Sequence, residues 1–147
     1  MPFSVTSSAF SEGGGFPSEY TCDGTGQAPP LNWSGTPDGT AELALVMDDP
    51  DARGFIHWVV TGIPGSADSL QPGALPAGAV EGRNNFGGTG YGPPCPPSGT
   101  HRYVVTLFAL SEPISVGGTP TADAVRSAAS GKILGEAKLE ASYTRQL

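Results

Sequence analysis

Apolar residues in this chain alternate with polar ones, or crowd together, in strand-sized runs separated by turns rich in glycine and proline. Leu31-Asn32-Trp33 alternates and, behind Ala28-Pro29-Pro30, predicts a short strand. Residues 41–47 (AELALVM) predict a second, stopped at Asp49-Pro50 because proline brings no backbone donor. Residues 55–63 are rich in aromatic and β-branched side chains and predict its neighbour; the short connection makes the pair antiparallel. Residues 102–110 (RYVVTLFAL) form the most hydrophobic run and are expected at the centre of the sheet. Residues 136–143 (EAKLEASY) alternate as a final edge strand does. Helical signals gather in one place: Thr121 as cap, Asp123 in the first turn and Gly131 as stop predict a short helix ending near Ser130.

Between these runs, residues 1–30 are polar and glycine-rich, anchored by Phe10, Phe16 and Tyr20. Residues 65–99 hold almost no strand-forming run. A loop of that length in a small domain is usually functional or disordered. Its regular aromatics and prolines favour the ordered case. No repeat and no linker divides the chain, so residues 1–147 read as one mainly β domain: antiparallel strands in a sandwich or barrel, one short helix and long loops gathered at one end.

Composition alters this picture only slightly. Glycine (22) and proline (15) are numerous enough to suggest disorder, but they cluster between the apolar runs, which favours a loop-rich folded protein. A formal charge of −7 repels a phosphate backbone, so nucleic-acid binding is not expected. The first basic side chain is Arg53, so no charged-then-apolar leader is read, and no apolar run has membrane-spanning length; the expected location is the cytoplasm. Asn32-Trp33-Ser34 fits a glycosylation sequon, which has no bearing there. Cys22 and Cys95 lack metal-type spacing. They read as two partly buried thiols in a reducing compartment or, alternatively, as a disulfide between loops that meet.

The candidate chemistry lies around the two histidines. Asp48-Asp49-Pro50-Asp51 crowds three carboxylates, which repel unless turn hydrogen bonds, a cation or a histidine holds them; a plain turn with solvated acids is the alternative. Pro50 keeps Asp49 extended, so Asp49 and Asp51 are expected to point in different directions. His57 follows at the start of the next strand, where a carboxylate neighbour would fix its tautomer and raise its pKa. Strand alternation puts His101 and Tyr103 on one face and Arg102 on the other. With N–H groups of the glycine-rich loop, such a set suits a phosphate-sized anion. Metal ligation is disfavoured because no H-x-H or H-x-x-x-H pair occurs, and no hydrolase, nucleotide-loop or dinucleotide motif is present. No metal or other cofactor is expected.

These blocks closely resemble the phosphatidylethanolamine-binding protein family, also called Raf kinase inhibitor-like proteins, and its bacterial and archaeal branch in particular. The segments carrying the resemblance are DDPDA at Asp48, HWVVTGIP at His57, GRNNFGGTGYGPPCPP at Gly82 and HRYVVTLFAL at His101, with TCDG, PPLNWSG and ILGEAKLEASYTR elsewhere. It implies a Greek-key β fold with a small pocket at one end. Asp49, His57, His101 and Tyr103 would line the pocket, Asp51 would brace its turn, and Gly90, Gly92, Pro96 and Pro97 would form its rim. The implied activity is non-enzymatic binding of phosphate-like anions or phosphorylated head groups, with inhibition of a kinase or protease as the alternative and acid–base catalysis ranked last. Implied partners are a phosphorylated small molecule, a protein target, a membrane surface contacted peripherally and a second copy of the chain. Two departures stand out: Arg53 lies where relatives often carry proline, and Asn85 replaces an acid frequently found after Asn84.

Overall fold

The nearly unbroken apolar run AELALVM belongs to a strand covered on both faces. The structure, a computed structural model that describes residues 2–145, contains eight strands: β1 (Ser4–Thr6), β2 (Leu31–Ser34), β3 (Glu42–Asp49), β4 (Phe55–Pro64), β5 (Ser69–Leu70), β6 (Val80–Glu81), β7 (Thr100–Leu110) and β8 (Ile133–Thr144). One α-helix, α1, spans Ala122–Ala129. Strands β1-β2-β5 form a three-stranded sheet and β6-β4-β3-β7-β8 a five-stranded one, every neighbouring pair antiparallel.

Leu43, Leu45 and Met47 of β3 enter the core between the two sheets, with Val5, Leu31, Trp33 and Leu70 opposite. Ala44 and Val46 face the other way and are covered by Ala122, Val125 and Ala129 of α1. Alternation is therefore present in β3 but invisible in its composition, since both faces are dry. The mainly β architecture with one short helix agrees with the sequence reading. The expected central strand does not: β3 holds the middle, between β4 and β7, and residues 102–110 lie one place outward. Strand β8 is the edge, as its alternation indicated. Strands β1, β5 and β6, too short to carry a pattern, had no counterpart in the sequence reading.

The helix ends as its signals predicted. Thr121 Oγ1 accepts the Ala124 N–H at 3.1 Å, and Gly131 follows at φ 80°. The cysteines form a bridge, Cys22–Cys95, which corrects the reading as two thiols. The loops that carry them are already joined by Cys22 N–H donating to Pro94 O (3.0 Å) and Tyr91 Oη–H donating to Tyr20 O (2.7 Å). Among the described residues, no helix is long and apolar enough to cross a membrane.

Candidate functional site

Strands β3, β4 and β7 end on the same side of the large sheet, and their ends build a pocket. β3 and β4 are joined by a one-turn 3-10 helix, Pro50–Ala52. Asp49 caps it, its Oδ1 accepting the Asp51 N–H at 2.8 Å. Arg53 then adopts φ 59°, the only non-glycine residue with positive φ among the described residues, and Gly54 follows at φ 75°.

The two acids diverge as Pro50 predicted. Asp49 is 2% exposed and turns inward, its Oδ2 accepting His101 Nδ1–H at 2.5 Å. Asp51 turns outward and accepts three hydrogen bonds from Arg102: backbone N–H at 2.8 Å, Nε at 3.1 Å and Nη2 at 3.0 Å. The Arg102 side chain, by these bonds above all, holds the Asp51 carboxyl down to about 2. His101 and Tyr103 share the pocket face while Arg102 faces away, as strand alternation required.

His57 is a bulge residue. Met47 pairs with Trp58 and Asp48 with Ile56, so His57 is the extra residue of β4. Without this shift, period two would send His57 to the side opposite Trp58. The bulge instead turns both rings toward the inter-sheet side, where His57 meets Tyr103 edge-on at 5.2 Å, while Ile56 returns to the α1 side. The His57 carbonyl accepts Gly92 N–H (2.7 Å), and its Nδ1–H donates to the Gly92 carbonyl (2.8 Å).

That geometry corrects the expected carboxylate partner of His57. Its tautomer is fixed by a backbone carbonyl, and Asp49 is paired with His101. The direction of the pKa shift is also reversed. His57 is 3% exposed and boxed in by Phe55, Phe86 and Tyr103, and burial lowers its pKa more than Gly92 and Asp49 raise it. A histidine whose folded pKa is depressed stabilises the fold while neutral. Stability is therefore expected to be complete above the unfolded value of about 6.5 and to fall as pH drops below it, by up to about 1.4 kcal/mol per pH unit for this group. Denaturant unfolding between pH 5 and 8, with the His57 ring followed by NMR, checks this; a ring that becomes charged near its ordinary value would contradict it.

The pocket has a cavity of about 130 Å³, lined by Asp49, Ala52, Phe55, His57, Phe86, Cys95, Pro96, Pro97, His101 and Tyr103. This approaches the roughly 150 Å³ that holds a benzene-sized molecule. Tyr103 is 2% exposed and its hydroxyl makes no hydrogen bond among the described residues, yet no sealed side-chain polar atom lacks a partner. The hydroxyl thus opens to solvent through the cavity it lines. Burial, then the Asp49 charge, pushes its pKa well up, so it remains a neutral donor. The Nε2 atoms of His57 and His101 make no hydrogen bond among the described residues. Among those residues, no three His, Cys, Asp or Glu side chains are grouped as metal ligands.

Pro96 and Pro97 line the cavity as expected, but Gly90 and Gly92 stand behind it. Their N–H groups are taken by Gly82 O (3.0 Å) and His57 O, so the expected loop-amide cradle is not formed by these glycines. Gly92 is needed for space, since a Cβ there would lie 2.4 Å from the Phe86 ring. The sequence reading missed Phe55, Phe86, Ala52 and Cys95 in the lining. Phe86 owes its place to Asn84 and Asn85. Buried Asn84 Oδ1 accepts the N–H of Phe86 and Gly88, and Asn85 exchanges two hydrogen bonds with the Ile56 backbone.

The family model described as phosphatidylethanolamine-binding protein matches residues 6–144. A relative named UPF0098 protein, from Methanothermobacter thermautotrophicus, is 44% identical over 144 residues, covering 93% of this chain and 95% of the relative. The crystal structure of CT736 from Chlamydia trachomatis superposes with a TM-score of 0.92 at 36% identity, covering 98% of each chain. That of E. coli YbcL, described as a member of the mammalian PEBP family, superposes at 0.90 with 31% identity, covering 98% of this chain and 99% of the other.

Proposed function

The chain belongs to the phosphatidylethanolamine-binding protein family, and from that premise we propose that it is a non-enzymatic binding protein whose pocket takes the phosphate of a small phosphorylated molecule, such as a phosphoethanolamine head group. The observation that carries the reading is the convergence of the Tyr103 hydroxyl and two histidine rings on one small cavity. Tyr103 donates in its neutral form. His57 becomes a second kind of donor when its Nε2 takes a proton, so binding there draws a proton from solvent. Asp49 is the group least suited to an anion, but both its oxygens are occupied, one by the Asp51 N–H and one by His101. Cys95, the one thiol-bearing residue type in the lining, is bridged and offers no thiol nucleophile, and the Tyr103 hydroxyl stays protonated, which favours binding over catalysis.

A cavity this small buries little of a ligand, so affinity in the region of 1 mM is expected. NMR titration with inorganic phosphate and with phosphoethanolamine should move His57, His101 and Tyr103 together, more strongly at lower pH. Tyr103→Phe should weaken binding about tenfold. If these three signals stay still at tens of millimolar ligand, the proposal is wrong. A second reading, inhibition of a kinase or protease through the rim, draws support from the bridge at Cys95, which stiffens Pro96 and Pro97. A bound partner that tolerates His57→Ala but is lost on replacing both prolines would favour it.

A further inference from the structure

A second concavity, about 650 Å³, lies beyond the wall made by the 52–56 and 84–87 segments. Ala52, Phe55 and Phe86 face the histidine pocket; Arg53, Ile56, Asn85 and Gly87 face this cleft, together with Arg83, Arg126 and the first turn of α1 at Thr121, Ala122 and Asp123. The chain has only seven basic side chains and a net charge of −7, yet three of its arginines line this one cleft. Arg126 leans on Asp48 at 3.6 Å. The side chains of Arg53 and Arg83 have no ion pair or hydrogen bond among the described residues. Asp123 is the single acid in the lining.

Two of the three arginines thus bring an exposed, unshared charge to one cleft, where water screens their repulsion, and the backbone at one of them carries a cost of its own. Arg53 sits at φ 59°, where glycine or asparagine is at ease and arginine is not. We propose that this cleft is a second anion site, separate from the histidine pocket, for a phosphorylated ligand carrying at least two negative charges. Guanidinium groups suit such a ligand because their planar forks give paired hydrogen bonds to phosphate oxygens. The volume lies within the ordinary range for small-molecule sites.

Inorganic pyrophosphate is the probe, titrated into the intact protein at low salt and followed by NMR. Saturating shifts are expected at Arg53, Arg83, Ala122 and Asp123, weakening as salt is raised. Asn85→Asp keeps the acceptor for the Ile56 N–H (2.7 Å) while adding a negative charge to the cleft, and should weaken binding about tenfold. Arg53→Asn should do likewise while relaxing the backbone, so lost binding could not be attributed to lost folding. Asp123→Asn should tighten binding. Three results would overturn the proposal: shifts confined to His57 and His101, unchanged affinity in both Asn85→Asp and Arg53→Asn, or unsaturated shifts spread equally over Lys132 and Lys138. Because the phosphate response of the histidines is read in the same spectra, failure of one site does not imply failure of the other.

Discussion

Opening the Cys22–Cys95 bridge is expected to lower unfolding free energy by about 4 kcal/mol, since the cross-link closes a loop spanning 73 residues in the unfolded chain. That is a large share of the roughly 5–15 kcal/mol by which domains of this size are stable. The site is affected as well. Cys95 lines the pocket beside Pro96 and Pro97, and Cys22 ties that rim to the chain after the 3-10 turn Ser18–Tyr20. Denaturant unfolding of the Cys22→Ser/Cys95→Ser protein, and of the native protein with and without a dithiol reductant, measures the effect. A loss below about 1 kcal/mol would show that the loops are held by their hydrogen bonds and packing instead. Thiol counting on protein taken directly from cells bears on location too. The sequence reading expected a reducing cytoplasm, where such a bridge is uncommon, whereas bridges persist in oxidising compartments.

Asp49→Ala should cost about 3 kcal/mol, the second large effect. The substitution removes the cap of the Pro50–Ala52 turn and leaves His101 Nδ1 without the buried carboxylate that accepts from it. Asp49→Asn should cost less, because its amide oxygen can still accept one of the two hydrogen bonds. If the pair is the cause, adding Asp49→Ala to His101→Ala costs less than adding it to the native protein. Strictly additive losses in that double-mutant cycle would assign the effect to the cap alone.

Much of this arrangement was legible along the chain. Pro50 separated Asp49 from Asp51, and alternation placed His101 with Tyr103 and Arg102 outside. Thr121 and Gly131 bounded the helix. Each of these is a local rule acting over a few residues. The central strand was misjudged because the hydrophobicity of residues 102–110 was taken as depth. The near-continuous apolar run of β3 records burial on both faces, whereas in β7 Val104 and Thr106 are only half-buried and Arg102 is exposed. Residues 65–99 gave no pattern, yet much of that stretch is fixed by backbone hydrogen bonds to the outer edge of β4, from Gly82 N–H to Val59 O and from Gly92 N–H to His57 O.

The sequence by itself determined the five longer strands and the helix, the divergence of the two acids and the placing of His101 with Tyr103 on one face, because steric and period-two constraints need no distant partner. Only the tertiary structure decided which acid meets which histidine. Asp49 and His101 are 52 residues apart and meet only because β3 lies against β7. It also decided that His57 faces the pocket at all, since one extra residue in the ladder reverses the alternation that the sequence would otherwise impose.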